Sequence, residues 1–344
     1  MNRGTRPPGR RSPTLPAPDL ATPNIAGPKL GVPDLATPEL VTPATAAPAA
    51  ARPLRFGWPV AVLRTSRPRQ WPKNLLVFAA PVAGATRGRA DGMAYALVAF
   101  GVFTLASCAV YFVNDVVDAE RDRSHPRKRT RPVASGQLGA GHALGVAAAC
   151  VLLAVAGGLA IGSAGLTATV TAYLALSFLY SFALKHIPVL ELALVASGFV
   201  LRALGGAAAA QVPPSGWFVL VCSLGALLVA ISKRYTELAG LGTTAAGHRP
   251  CLRRYTPGGL RLAQRFVSVA MIAAYLSWAL LNGSPWAVDC HLVTAIPLAA
   301  ALFRFDWLTG RATLTRVEDL ITRDGPMLGC EFVWLLLFIA GMRG

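Results

Sequence analysis

The sequence predicts an all-α membrane protein, a polytopic helical bundle with about nine transmembrane helices. Composition is the first observation: of 344 residues, 54% are hydrophobic and only 14% are charged, with a mean hydropathy of +0.49. The second is that apolar runs long enough to cross a bilayer recur along the chain. The third is that basic residues concentrate in alternate connections between these runs, which is the pattern of the positive-inside rule.

The first apolar segment differs from the others because it is short and contains Pro81. Proline interrupts the helical hydrogen-bond ladder, so we expect this segment to be tilted, kinked or incomplete. The predicted spans are Trp71–Thr86, Met93–Val113, Gly141–Ile161, Leu166–Leu184, Ile187–Ala210, Ser215–Ile231, Phe266–Leu281, Trp286–Phe303 and Met327–Met342.

The formal charge of +17 could indicate nucleic-acid binding, but its distribution argues against that. Lysine and arginine gather before the first span and between spans two and three, six and seven, and eight and nine. A nucleic-acid binder would gather its charge in one soluble module, so we expect no nucleic-acid partner. The alternation predicts a multi-pass protein of the plasma membrane, surrounded by lipid. Its N-terminus and the connection after span two would be cytoplasmic, and its C-terminus outside.

The N-terminal region, residues 1–51, is rich in proline. Prolines recur every five residues from Pro13 to Pro48, and PDLATP occurs twice, at 18–23 and 33–38. Such density opposes helices and sheets and favours an extended chain. We expect a disordered cytoplasmic tail, with a docking segment for a partner as the alternative. Residues 52–344 are predicted to form one transmembrane domain.

The connection after span two carries the strongest functional signal. Asp115, Asp118 and Asp122 are spaced i, i+3 and i+7, which places them on one face of a helix. Crowded carboxylates repel each other unless a cation holds them, and Mg²⁺ prefers such oxygen ligands. A solvated helix end would explain mixed charges but not this one-face spacing. The predicted metal ligands are Asn114, Asp115, Asp118 and Asp122.

Basic residues follow the acidic face directly. Lys128 and Arg131 suit phosphate oxygens, since their N–H groups form charge-assisted bonds with them. Pro126 and Pro132 fit a stiffened loop that returns these two side chains over the acids. Together the two groups predict a magnesium-diphosphate site at the membrane surface.

A second group of polar residues lies around the fourth and fifth spans and comprises Tyr180, Lys185, Glu191 and Arg202. Lys185 ends one predicted helix, and Glu191 lies early in the next. Arg202 lies eleven residues after Glu191, about three helical turns, so the two share a face. A charge this deep in a span is costly unless it faces a cavity or a partner. We expect Arg202 either to contact an anionic group or to pair with a carboxylate.

Two further basic positions flank spans. Lys73 and Asn74 end the segment RPRQWPKN at 67–74, and Lys233 lies at the end of span six. Apart from a role in substrate binding, the segment at 67–74 can be explained as an interfacial anchor, and Lys233 can be explained as positive-inside charge.

The segment 114–136, NDVVDAERDRSHPRKRTRPVASG, resembles the first aspartate-rich motif of the UbiA superfamily of intramembrane prenyltransferases. The resemblance extends over residues 67–344 and implies a helical bundle with a large central cavity. Further segments similar to their counterparts in that superfamily are RPRQWPKN at 67–74, YSFALK at 180–185, FVLRALGG at 199–206 and ISKRYTEL at 231–238.

Within this superfamily the chain is most similar to the branch that moves a phosphoribosyl group from phosphoribosyl diphosphate to a polyprenyl phosphate. That branch serves cell-wall arabinan synthesis. Prenyltransferases usually carry a second acidic motif for another metal, whereas this chain offers Glu191 there, with Lys185 and His186 nearby. This departure favours the phosphoribosyl branch. The alternatives are a prenyltransferase that uses a prenyl diphosphate and an aromatic or other small acceptor, and a membrane transporter.

The expected enzyme is therefore a magnesium-dependent glycosyltransferase that releases diphosphate. Asp115, Asp118 and Lys185 are the predicted catalytic residues. Arg202, Lys73 or Lys233 would hold the acceptor phosphate, and the sequence does not choose among them. The predicted substrate-binding residues are Lys73, Asn74, Lys128, Arg131, Tyr180, Glu191, Arg202 and Lys233.

Overall fold

A computed structural model describes residues 57–84, 91–125, 128–241, 250–281, 285–311 and 317–342, and the described residues contain helices but no strand. The predicted tail, residues 1–51, lies outside them. Within these ranges, four 3-10 helices are Pro68–Phe78, Lys128–Thr130, Leu184–His186 and Pro250–Arg254. The α-helices are α1 (Trp58–Thr65), α2 (Ala79–Ala83), α3 (Gly92–Val117), α4 (Ala119–Arg123), α5 (Ala140–Ala160), α6 (Ala164–Phe182), α7 (Leu190–Ala209), α8 (Gly216–Leu241), α9 (Pro257–Leu281), α10 (Pro285–Arg311), α11 (Val317–Arg323) and α12 (Gly325–Met342).

Eight helices within the described residues are long and apolar enough to cross a membrane, namely α3, α5 to α10 and α12. They coincide with the second to ninth predicted spans, so the chain is a multi-pass membrane protein. The first predicted span has a different form, the 3-10 helix Pro68–Phe78 followed by the five-residue α2. Pro72 and Pro81 each remove a backbone donor there, which opposes a continuous α-helix. The prediction of about nine spans is thus confirmed as an approximation.

Side-chain contacts place several helix ends together at one face of the bundle, which we call the motif face. Lys185, after α6, contacts Asp118, after α3. Arg234, near the end of α8, contacts Glu191, at the start of α7. The residues that precede α5 also reach this face, through Arg131. The aspartate motif, the link between α6 and α7, and the end of α8 therefore share one polar surface.

The bundle core lies around α3, whose apolar stretch is 61% buried, against 17–44% in the other seven long helices. Phe103 and Val110 of α3 pack with Val170 and Tyr173 of α6. The rings of Phe103 and Tyr173 meet edge to face at 5.7 Å between centroids. Because α3 is held on several sides, its last turn offers a rigid support for the aspartates that follow.

The non-α-helical first segment lies very close to α7. A Cβ added to Gly206 would lie 1.8 Å from the carbonyl oxygen of Val77. No side chain fits at that distance, so glycine at this position allows the 3-10 helix to rest directly on α7. The contact holds Asn74, in the same 3-10 helix, against the bundle interior, where it is 1% exposed.

We expect Gly206→Ala to destabilise the protein by about 3 kcal/mol, the upper end of the usual cost of overpacking, because the two backbones must separate to admit the methyl group. Gly101→Ala, in α3, is the matched control, since no atom lies within 4 Å of its added Cβ. The control should be neutral or slightly stabilising. Thermal unfolding of the purified variants in detergent measures both changes, and equal midpoints would contradict the expectation.

Asp324 caps α12 and ties it to α10. Its carboxylate accepts bonds from Arg304 Nε and Nη2, at 3.1 and 2.9 Å, and from the Met327 amide, at 3.0 Å. The bonds from Arg304, assisted by the Met327 amide, lower the pKa of Asp324 below its usual 3.8. A carboxyl group whose pKa is lower in the folded than in the unfolded protein stabilises the fold at pH values above its unfolded-state pKa. That stabilisation disappears as the pH falls through the folded-state pKa.

We therefore expect the unfolding midpoint of the wild type to fall more steeply below about pH 4 than that of Asp324→Asn. Scanning the midpoint from pH 6 to pH 3 in detergent provides the comparison. Parallel curves for the two proteins would show that this cap does not contribute to acid sensitivity.

Candidate active site

The three aspartates lie on a helical segment that is interrupted at Asp118, the middle one of the three. Asp118 separates α3 from α4, yet its amide still donates to Asn114 O at 2.9 Å, and the Asp122 amide donates to Asp118 O at 2.8 Å. The i→i+4 pattern thus continues through the break. Asp115 and Asp122 are each 2% exposed, whereas the Asp118 side chain is 32% exposed. Two carboxylates of the motif are therefore buried, and the third lies at the surface.

One guanidinium bridges the two buried carboxylates. Arg131 Nη1 lies 3.3 Å from Asp115 Oδ1 and 2.6 Å from Asp122 Oδ2. Lys128 Nζ lies 4.0 Å from Asp122 Oδ1. The predicted return of the basic residues over the acids is thus observed, although Pro126, one of the two prolines expected to stiffen this loop, lies outside the described residues. These cations offset the cost of burying two like charges next to each other.

Arg67 contacts the aspartate motif, although it was not among the predicted site residues. Its guanidinium forms an ion pair with Asp115 and lies 4.9 Å from the centroid of the Tyr111 ring. The backbone of Arg67 has a φ of 53°, a left-handed conformation that is uncommon outside glycine. Its only sequence signal was its place at the start of RPRQWPKN. The partner 48 positions away could not be read from spacing.

Asp118 faces a different environment from the other two aspartates. Lys185, which follows α6, places its Nζ 3.4 Å from Asp118 Oδ1. The two residues border an open cleft of about 500 Å³ on the motif face. The cleft is lined by Val117, Asp118, Glu120, Arg121, Ser124 and Lys185. The structure therefore brings two of the predicted catalytic residues together at a solvent-accessible opening.

Glu191 lies in a buried ion-pair cluster instead of beside the aspartates. Its Oε1 accepts from Arg234 Nε at 2.5 Å, and the two side chains are 0% and 2% exposed. Arg234 also contacts Glu237 Oε2 at 2.6 Å and the Tyr180 hydroxyl at 3.4 Å. Arg234, which was not among the predicted site residues, thus joins α7, α8 and the end of α6. Contact of Glu191 or Tyr180 with substrate stays a prediction.

Arg202 is buried at 6% exposure, and its hydrogen-bond partners among the described residues are neutral. Its Nε donates to Asn74 Oδ1 at 2.7 Å, and Nη2 donates to Ser107 Oγ at 2.9 Å and to the Tyr173 hydroxyl at 3.0 Å. Nη1 donates to the Gly198 carbonyl at 2.6 Å. The carboxylate pair that was one predicted role is not seen within the described part of the chain. The positive charge of Arg202 is therefore held inside the bundle by polar but uncharged groups.

Lys73 and Lys233 are both half-buried. Lys73 precedes Asn74 in the first 3-10 helix, and Lys233 precedes Arg234 in α8. Each therefore lies beside one of the two buried arginine networks, and their contact with an acceptor phosphate stays a prediction.

The chemistry of the aspartate motif suits a divalent cation, since it offers carboxylate and amide oxygens within two helical turns. Within the described ranges, however, no group of three or more His, Cys, Asp or Glu side chains is arranged to hold a metal ion. Asp115 and Asp122 are neutralised by Arg67, Arg131 and Lys128. The donor set thus fits Mg²⁺ in kind, while in this structure basic side chains balance its charge.

Comparisons with solved structures support the fold. A UbiA homolog from Archaeoglobus fulgidus bound to GPP and Mg²⁺ has a TM-score of 0.63 and 16% identity, covering 83% of this chain and all of that chain. The same homolog bound to DMAPP and Mg²⁺ also has a TM-score of 0.63 and 16% identity, covering 82% of this chain and 99% of that chain. At this identity the likeness concerns the fold alone.

Curated relatives are closer in sequence. Decaprenyl-phosphate phosphoribosyltransferase of Mycolicibacterium smegmatis is 40% identical over 289 residues, which cover 80% of this chain and 90% of the relative. The enzymes of that name in Corynebacterium glutamicum and Mycobacterium tuberculosis are 37% and 35% identical. Those alignments cover 71% and 80% of this chain, and 75% and 91% of the relatives. The model of the UbiA prenyltransferase family matches residues 74–317, and the chain belongs to that family.

Proposed function

We propose that this enzyme transfers a 5-phosphoribosyl group from phosphoribosyl diphosphate to decaprenyl phosphate and releases diphosphate. The observation that carries this proposal is 35–40% identity to curated decaprenyl-phosphate phosphoribosyltransferases over most of both chains. The lipid product would serve as a precursor for cell-wall arabinan. Because the donor is soluble and highly charged, we place the motif face at the cytoplasmic side of the plasma membrane, in agreement with the distribution of basic residues.

The acceptor supplies its own nucleophile. A phosphate monoester has a second pKa of about 6, so the lipid phosphate is anionic near neutral pH. One of its oxygens attacks C1 of the ribose as the bond from C1 to the diphosphate oxygen breaks, and the diphosphate leaves with the electron pair. No proton has to be removed from the nucleophile, so the reaction needs no general base. This agrees with a site whose basic side chains are arginines and lysines, which are protonated at neutral pH.

The main task of the protein is then to stabilise the leaving diphosphate. Arg131 contacts both buried carboxylates through Nη1, and the remaining N–H groups of its guanidinium can bind phosphate oxygens. Lys128 adds charge beside Asp122. Lys185 adds charge beside Asp118, where it would face the rest of the donor. Holding these cations in place before the reaction provides electrostatic preorganisation.

We assign Asp115, Asp118 and Asp122, with Asn114, as the residues that would hold Mg²⁺. The ion would neutralise charge that develops on the leaving diphosphate. The assignment is supported by the oxygen donors of the motif and by Mg²⁺ in the homologous Archaeoglobus fulgidus structures.

Three residues were predicted to hold the acceptor phosphate, and their surroundings suggest different contributions. The guanidinium of Arg202 donates its hydrogen bonds to Asn74, Ser107 and neighbouring groups. We therefore propose that Arg202 contributes a positive electrostatic field inside the bundle. Lys73 and Lys233 are both half-buried, and we propose them for direct contact with the lipid phosphate.

We expect purified protein to move label from phosphoribosyl diphosphate into the lipid phase when decaprenyl phosphate and Mg²⁺ are present. A chelator should reduce the rate to background, and added Mg²⁺ should restore it. A preparation that instead turns over a prenyl diphosphate with a small acceptor, and transfers no phosphoribosyl group, would contradict the proposal.

A further inference from the structure

The cleft beside Asp118 contains charged groups that the proposed reaction has not used. Glu120 and Arg121 line it, both are exposed, and neither has an ion pair with another described residue. Ser124 adds a hydroxyl, and Lys185 adds a second cation. The volume of about 500 Å³ lies within the usual range of about 300–1,000 Å³ for small-molecule sites.

The aspartate motif divides these charges into two separate groups. Arg131 and Lys128 lie on the side of the buried Asp115 and Asp122. Lys185 and Arg121 lie on the side of the exposed Asp118, in the cleft. The motif face therefore offers two places for anionic groups, one beside the buried Asp115 and Asp122 and one in the cleft beside Asp118.

The proposed donor needs two such places. Phosphoribosyl diphosphate carries its diphosphate on C1 and a further phosphate on C5, with two hydroxyls on the ring between them. A prenyl diphosphate has an apolar chain in place of the ribose phosphate. A polar cleft that contains a carboxylate, a guanidinium and an ammonium group suits the ribose phosphate, since carboxylates accept from ribose hydroxyls and cations bind phosphate.

We propose that the cleft is the ribose 5-phosphate subsite of the donor, an inference that rests on the proposed function. Arg121 and Lys185, with the Ser124 hydroxyl, bind the 5-phosphate. Glu120 accepts hydrogen bonds from the ribose hydroxyls. The diphosphate lies on the other side, against Arg131 and Lys128. The subsite thus selects a phosphoribosyl donor over a prenyl donor.

The test compares Arg121→Gln and Glu120→Ala with Arg129→Gln. Arg129 is an exposed arginine of the neighbouring 3-10 helix that does not line the cleft, so it controls for loss of charge. The measurements are the KM for donor and for decaprenyl phosphate, together with inhibition by ribose 5-phosphate and by inorganic diphosphate.

We expect Arg121→Gln to raise the donor KM and weaken inhibition by ribose 5-phosphate about 10-fold, the effect of one charge-assisted bond. Glu120→Ala should act in the same direction. Inhibition by inorganic diphosphate, the acceptor KM and all values for Arg129→Gln should stay within about twofold of wild type. Unchanged donor KM and unchanged ribose 5-phosphate inhibition in Arg121→Gln would overturn the subsite. A wild type that transfers no phosphoribosyl group would instead overturn the proposed function.

Discussion

Phosphoribosyl transfer should fall at least about 10²–10³-fold in the Asp115→Asn variant, the loss expected when an essential electrostatic group is removed. Asp115 is 2% exposed and contacts both Arg67 and Arg131. Asparagine keeps the shape of the side chain and removes its charge. The variant therefore loses a proposed metal ligand and an anchor for two cations, with little change in packing. The initial rate at saturating Mg²⁺ measures the effect.

Asp118→Asn provides an independent version of this test. Asp118 is 32% exposed and its one ion pair among the described residues is with Lys185, so its replacement should leave folding intact while activity falls similarly. Asp319→Asn is the control, because this half-buried aspartate has its one ion pair among the described residues with Arg323, on its own helix. Retention of most wild-type activity in both Asp115→Asn and Asp118→Asn would refute the assignment of the motif as the catalytic centre. Thermal unfolding of each variant separates loss of activity from loss of fold.

The second large effect concerns stability. We expect Arg234→Leu to destabilise the protein by about 3–5 kcal/mol, because it removes the guanidinium that pairs with the buried Glu191 carboxylate. Glu191 is 0% exposed, so water cannot take the place of the guanidinium. Glu237, the other partner, is 27% exposed and can be solvated instead. Unfolding in detergent, by heat or by denaturant, measures the change.

The double variant Arg234→Leu/Glu191→Leu tests the cause of that loss. Replacing both members of a buried pair by apolar residues removes the uncompensated charge and should restore much of the stability. If the double variant were no more stable than Arg234→Leu alone, the ion pair would not explain the loss. Activity of the restored protein reports on Glu191, because a role in substrate binding predicts a folded but impaired enzyme.

The transmembrane helices were predictable because their signal is local. A run of apolar residues is a property of consecutive positions, and Met93–Val113 was predicted where the structure has Gly92–Val117. Boundaries were less accurate where polar residues continue a helix. The sixth span was predicted to end at Ile231, whereas α8 continues to Leu241 through Lys233 and Arg234. The run of apolar residues ends at Ile231, but the hydrogen bonds of the helix continue beyond it.

The candidate site was predictable in part for the same reason. The i, i+3, i+7 spacing of the aspartates and the basic residues that follow are local patterns, and Arg131 does return to the acids. The spacing could not show that Asp115 and Asp122 are buried while Asp118 opens to a cleft. That difference depends on the break at Asp118 and on the elements packed around it.

Local sequence patterns were enough to identify a helical membrane protein, the segment that carries its acidic motif, and the family that it resembles. The ion-pair partners became visible only in the folded bundle: Arg67 with Asp115, Lys185 with Asp118 at 67 positions' separation, and Arg234 with Glu191. Periodicity reports how consecutive residues are arranged around one helix axis. Ion pairs between distant residues depend on which helices pack together and in what rotation, and a close contact such as that of Gly206 with Val77 sets that geometry.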